Sequence, residues 1–147
     1  MNIFLDSSVL IEYLKGKNAE LLEHLISSEF KLFVNSIVFS EFMFHYLAII
    51  GNKSPLSIKE SKLIQQTLDT HNPQKMFTMF TNIAMDQQIN SLSYQLMGKY
   101  NLLPNDALIL ATIKSRDLKY LASFDKKDFI KACEQEEIQL ITSLKDL

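Results

Sequence analysis

The chain has 147 residues, enough for a sizeable core, and a single domain over residues 1–147 is expected. Three glycines and three prolines are too few for a turn-rich all-β architecture or a disordered tract. Fifteen Lys and Arg against 17 Asp and Glu give a net charge of −2, and only Arg116 is an arginine, so no basic footprint for reading base edges is present. Cys133 stands alone, which excludes an internal disulfide and a cysteine-rich zinc site. No basic segment precedes an apolar stretch at the N-terminus, and the longest apolar run, Ile37 to Ile50, falls short of the ~20 residues of a membrane span. A soluble, cytoplasmic protein is the expectation.

Asn2-Ile3-Phe4-Leu5 reads as a buried strand. Asp6-Ser7-Ser8 follows as a turn, and Val9, Leu10, Tyr13 and Leu14 fall at helical spacing. Leu21, Leu22, Leu25 and Ile26 mark a second helix, and Lys31 to Val34 a second strand. Asn35-Ser36 caps a third helix from Ile37 to Ile50. After the break at Gly51 to Pro55, the pattern gives a polar amphipathic helix from Ser57 to Leu68, then either a strand or a buried helical turn over Met76 to Phe80. Helices follow over Asp86 to Tyr100 and Pro104 to Ser115, a strand at Lys119 to Ala122, a short helix from Asp128 to Glu136, and a last strand at Ile138 to Ile141. Strands alternating with helices imply a parallel sheet covered on both faces.

Two of these strands deliver an acid just beyond their C-terminal ends: Asp6 after the first, Asp125 after Lys119–Ala122. Ligands of open parallel sheets sit in that position, although an Asp there also serves as a helix cap. Glu41 lies in a helix that is apolar on nearly every face, which marks the helix as buried, and no Lys or Arg accompanies it. A buried lone carboxylate costs several kcal/mol, on the order of an ion's desolvation penalty, so Glu41 needs a metal ion, a subunit partner or a path to solvent. Asp106 occupies the first turn of the helix opened by Pro104, where the dipole favours negative charge. If these four acids converge, a divalent cation relieves their repulsion, and all-oxygen ligation points to Mg²⁺ or Mn²⁺. Setting them aside turns the remaining charge mildly positive, so an RNA substrate is not excluded.

The stretches Leu5-Asp6-Ser7-Ser8-Val9-Leu10-Ile11, Ser36 to Phe42, Asn105-Asp106-Ala107-Leu108-Ile109-Leu110-Ala111-Thr112 and Leu121-Ala122-Ser123-Phe124-Asp125 stand in the order and spacing of the PIN domain, and the chain most resembles its VapC-type toxin branch. The resemblance spans nearly the whole chain. It implies a PIN-like three-layer α/β/α fold around a mostly parallel sheet of four to five strands. It also implies a Mg²⁺- or Mn²⁺-dependent endoribonuclease, commonly a homodimer, blocked by a cognate antitoxin. By position Asp6, Glu41, Asp106 and Asp125 match the family's acidic catalytic and metal-binding residues, with Ser7, Ser8 and Ser123 as supporting hydroxyls. Two departures stand out. Asp128 follows Asp125 by three residues rather than two, so it is not counted as a ligand. The stretch from Leu56 to Phe80 is long and polar, consistent with a lid over substrate or an elaborated helix pair.

Phosphoryl transfer at an aspartate, as in haloacid-dehalogenase-like phosphatases, wants an acid at position 8, where Ser8 stands. A receiver-like domain needs an acidic pair after the first strand, and Asp6 is followed by two serines. The remaining alternatives are a housekeeping RNA-processing nuclease and a PIN module that binds RNA or protein without cleaving. The phenylalanines and methionines read as core or dimer packing, and the all-round apolar helix at Ile37–Ile50 suggests a two-fold contact. Lys126, Lys127 and Lys131 read as a solvated helix face.

Overall fold

A computed structural model describes residues 1–147. Its five strands are β1 (Asn2–Leu5), β2 (Lys31–Asn35), β3 (Thr81–Ile83), β4 (Tyr120–Ala122) and β5 (Gln139–Ile141). They form one sheet in the order β3-β2-β1-β4-β5, every neighbouring pair parallel. The central strand is apolar because both its faces are covered: Ile3, Phe4 and Leu5 are fully buried, as are Leu121 and Ala122 of β4. Parallel strands need crossovers, and the helices that supply them flank the sheet.

From β1 the chain moves outward through β2 to β3, then returns to the other side of β1 for β4 and β5. The reversal falls between β1 and β4, whose ends are in register at Leu5 and Ala122. At such a switch point the segments leaving the two strands diverge and open a crevice at their carboxyl ends. Asp6 and Ser123 are the first residues past these ends.

The helices are α1 (Ser7–Leu14), α2 (Ala19–Ser27), α3 (Ser36–Gly51), α4 (Pro55–Glu60), α5 (Ile64–His71), α6 (Gln74–Phe77), α7 (Gln87–Tyr100), α8 (Pro104–Ser115) and α9 (Lys126–Gln135), with a closing 3-10 turn at Leu144–Asp146. α1 packs on α2 and α3, α3 on α4 and α5, and α7 on α8.

Three expectations are corrected. The polar helix over Ser57–Leu68 is two helices, because α4 stops where Lys62 takes a φ of +56° while Leu63 N–H reaches back to Ile58 C=O and Lys62 N–H to Lys59 C=O. Of the two readings of Met76–Phe80 the helical turn is the nearer, since Met76 and Phe77 end the single turn α6, but that turn buries no residue, and the strand comes later as β3, a three-residue edge with only Ile83 buried. α3 is not buried all round. Only Val38, Phe42 and Tyr46, one stripe at four-residue spacing, are buried, whereas Phe39 and Phe44 are 43% and 59% exposed. The 56–80 region is docked rather than lid-like: Ile58 is fully buried, and the Tyr46 hydroxyl donates to Thr67 C=O at 2.8 Å.

Candidate active site

Asp6 leaves β1 as the N-cap of α1, yet capping is the smaller part of its environment. Its Oδ2 accepts from Ser8 Oγ (2.5 Å), Ser123 Oγ (2.8 Å) and, at 3.3 Å, the Ser8 amide. Both serines are held in turn, since Phe124 N–H donates to Ser8 Oγ and Asp125 N–H to Ser123 Oγ, each at 3.0 Å. The hydroxyls thus have their protons directed at one carboxylate oxygen. Oδ1 accepts no hydrogen bond, and no fully inaccessible side-chain oxygen or nitrogen lacks a partner, so Oδ1 is the oxygen that keeps an opening to the crevice. Burial raises the Asp6 pKa, the Ser8 and Ser123 hydroxyls oppose that rise, and the charge of Glu41 adds to it.

Glu41 sits in the second turn of α3, half-buried. Ser7 Oγ donates to its Oε2 and Asn105 Nδ2 to its Oε1, both at 2.8 Å. Of the three supporting hydroxyls, Ser7 therefore serves Glu41. Asn105 stands in the motif around Asp106 but is not among the site residues expected from the sequence; its place directly before Asp106 at the mouth of α8 is the signal for it. The missing counter-charge is answered here by neutral donors. α3 is tied to α8 beneath this point by Asn35, fully buried, whose Oδ1 caps α3 at Ile37 and Val38 N–H while its Nδ2 donates to Thr112 Oγ1 at 2.9 Å.

Asp106 occupies the first turn of α8 behind Pro104, as the sequence indicated. Its pKa is pushed up to about 7, first by burial and then by the charges of Asp128, Asp6, Asp125 and Glu41. All the expected acids therefore act on one group. Asp128, left out of the expected set, is the strongest of these charges. Asp125 caps α9 through a 3.4 Å contact from Asp128 N–H, and Asp128 has its own pKa raised by burial and by Asp125.

None of these five carboxylates forms an ion pair; the salt bridges of the molecule lie elsewhere. Nor do any three His, Cys, Asp or Glu side chains stand close enough to form a closed metal cage. The donor set fits a hard cation of the Mg²⁺ type, which takes one or two carboxylates and keeps several waters, better than a metal that demands full protein ligation. The open Oδ1 of Asp6 and the uncompensated charge around Asp106 are the features that suit it.

The PIN domain family model matches residues 3–135. The chain belongs to the PIN-domain family. Ribonuclease VapC2 of Methanocaldococcus jannaschii is 36% identical over 138 residues, covering 90% of this chain and 93% of that protein. Ribonuclease VapC6 of the same organism is 34% identical, covering 88% and 94%. Among solved structures, VapBC-1 from nontypeable Haemophilus influenzae superposes with a TM-score of 0.65 at 16% identity, over 95% of this chain and 96% of that one. A toxin–antitoxin complex from Klebsiella pneumoniae gives a TM-score of 0.60 at 24% identity, over 86% and 89%. At these identities the structural likeness establishes the PIN fold, with its parallel sheet between helical layers. No helix of this PIN domain is long and apolar enough to cross a membrane.

Proposed function

We propose that this PIN domain is an endoribonuclease that hydrolyses RNA phosphodiester bonds with Mg²⁺ or Mn²⁺, and that it is the toxin of a toxin–antitoxin pair. What supports the reading is that the charges of Asp6, Glu41 and Asp125 all bear on Asp106, while none of the four forms an ion pair. When bound there, a divalent cation supplies the Lewis acid that phosphodiester hydrolysis needs.

The chain's own residues do the rest. Ser8 and Ser123 fix the Asp6 carboxylate so that Oδ1 faces the crevice, and Ser7 and Asn105 fix both oxygens of Glu41. The same acids repel an RNA phosphate until their charge is neutralised, which makes substrate entry itself depend on the cation.

The names of the two archaeal relatives support RNA as substrate, and the toxin–antitoxin neighbours support a cognate antitoxin as partner. A homodimer with cytoplasmic residence completes the reading. Phe39 and Phe44, exposed on α3, supply apolar surface for a two-fold contact. Residues 1–147 act as one domain.

The test is cleavage of total RNA by the protein with Mg²⁺, with chelator, and by Asp6→Asn with Mg²⁺. Products are expected only in the first case, and products that survive chelation overturn the mechanism. Growth arrest on expression of the chain alone, relieved by the product of an adjacent small gene, separates a toxin from an RNA-processing nuclease.

A further inference from the structure

Apart from the four acids, one carboxylate gathers side chains from three helices. Glu136 is the C-cap of α9, and its side chain is only 7% exposed. Its Oε1 accepts from Lys99 Nζ at 2.9 Å and from the Tyr100 hydroxyl at 2.5 Å, and its Oε2 pairs with Lys114 Nζ. Lys99 and Tyr100 close α7, and Lys114 lies in the last turn of α8. A carboxylate beside helix C-termini is opposed by the helix dipoles, and burial adds to the penalty. Two lysines oppose both effects and leave the cluster with net positive charge.

The connectivity gives the cluster its meaning. α8 carries Asp106 in its first turn and Lys114 in its last; α9 carries Asp125 at its N-cap, Asp128 in its first turn and Glu136 at its end. Both helices run from the crevice to Glu136 over 12 and 10 residues, on the order of 15–18 Å. α9 packs chiefly on β5, whereas α7 and α8 pack on one another. The ion cluster therefore joins α9 to the α7–α8 pair. At the N-termini of the two helices the charges of Asp128 and Asp125 on α9 bear on Asp106 on α8.

We propose that Glu136 is a positioning residue, which holds α9 to α7 and α8 through Lys99, Tyr100 and Lys114 so that Asp125 at the mouth of α9 stays near enough to Asp106 to share a divalent cation. This rests on the metal-dependent nuclease reading of the crevice.

The experiment measures Mn²⁺ binding by calorimetry, half-saturating Mg²⁺ in RNA cleavage, and melting temperature, for the wild type, Glu136→Gln and Lys114→Met. Both variants should bind Mn²⁺ about 10-fold more weakly, with the Mg²⁺ requirement raised by a similar factor and the rate at saturating Mg²⁺ within about twofold of wild type. A lower melting temperature with unchanged Mn²⁺ affinity makes the cluster a structural staple and overturns the proposal. If Glu136→Gln does not fold, Lys114→Met, which leaves Lys99 and Tyr100 on Glu136, carries the same comparison. A wild type that neither binds Mn²⁺ nor cuts RNA sinks the nuclease reading as well, whereas a normal wild type matched by both variants sinks this inference alone.

Discussion

Ser123 donates its hydroxyl to Asp6 Oδ2 at 2.8 Å across 117 positions of chain, closing β4 onto the mouth of β1. The contact also tunes chemistry, because this hydroxyl and that of Ser8 hold down a pKa that burial pushes up. Ser123→Ala removes one donor and leaves the carboxylate as buried as before. Cleavage should fall roughly 10–100-fold, the usual cost of removing an outer-shell partner, and the acid limb of the pH–rate profile should move to higher pH. Steady-state rates across the pH range check both; an unmoved limb would mean that Ser123 does not tune Asp6.

Asp106 gives the ion-free protein a specific pH dependence. Its folded-state pKa is raised from 3.8 to about 7, so between those values the folded chain holds a proton that the unfolded chain has lost. Stability is therefore greatest on the acid side of this window and declines as pH rises from about 4 to about 7. The raised Asp6 and Asp128 act in the same direction. Asp106→Asn should flatten its share of the decline and stabilise the protein at pH 8. Urea unfolding in chelator, with wild type and variant compared at several pH values, measures it.

A bound cation should invert that trend. A ligand specific to the folded state stabilises by about 2.7 kcal/mol at a hundred times its dissociation constant. Mn²⁺ or Mg²⁺ should raise the melting temperature, and more so at pH 8 than at pH 6, because binding requires Asp106 to release its proton. Asp6→Asn should abolish the rise. A melting temperature indifferent to these ions in the wild type would contradict the metal assignment.

What could be read from the sequence divides along physical lines. β1, β2 and α8 announced themselves because their apolar runs are buried and their ends carry explicit signals: Asn35 as a cap and Pro104 in the first turn of α8. The acids at the ends of β1 and β4 were visible for the same reason, since strand ends are easy to place. β3 was hidden because an edge strand with one buried residue leaves no pattern, and the stop between α4 and α5 because Lys62 takes the left-handed conformation without a Gly or Asn to mark it. The exposure of Phe39 and Phe44 was equally invisible, as composition alone does not say which side of an apolar helix meets the core. The roles of Ser7 and Asn105 depend on how α1, α3 and α8 meet, which no local pattern encodes.

The exposed lysines next to Asp125 offer a negative expectation. Lys126, Lys127 and Lys131 make no ion pair with the acidic cluster, and each is exposed on α9. Surface charges of this kind contribute little individually and are screened by salt. Single replacements by Gln should leave the cleavage rate within about twofold and the dependence of RNA binding on salt unchanged. A reduced salt slope in any one variant would make that lysine a phosphate contact.

Asn35 should prove the most sensitive polar residue outside the acids. It is fully buried, caps α3 through Ile37 and Val38 N–H at 3.1 and 3.0 Å, and donates to Thr112 Oγ1 on α8 at 2.9 Å. Asn35→Ala removes the cap and the buried link together, a loss of about 2–3 kcal/mol from the usual worth of each. Thr112→Val keeps the cap and removes the link, together with the hydroxyl's own bond to Leu108 C=O at 2.7 Å, and should cost about 1–2 kcal/mol. Because the two residues share one bond, the double variant should lose less than the sum of the two singles, by roughly 0.5 kcal/mol or more. Denaturant midpoints at a common slope supply these values. The same link aligns α3, which carries Glu41, with α8, which carries Asn105 and Asp106. Both single variants should therefore lose cleavage activity at limiting Mg²⁺ while still folded; full activity in folded Asn35→Ala would show that the site tolerates play between these helices.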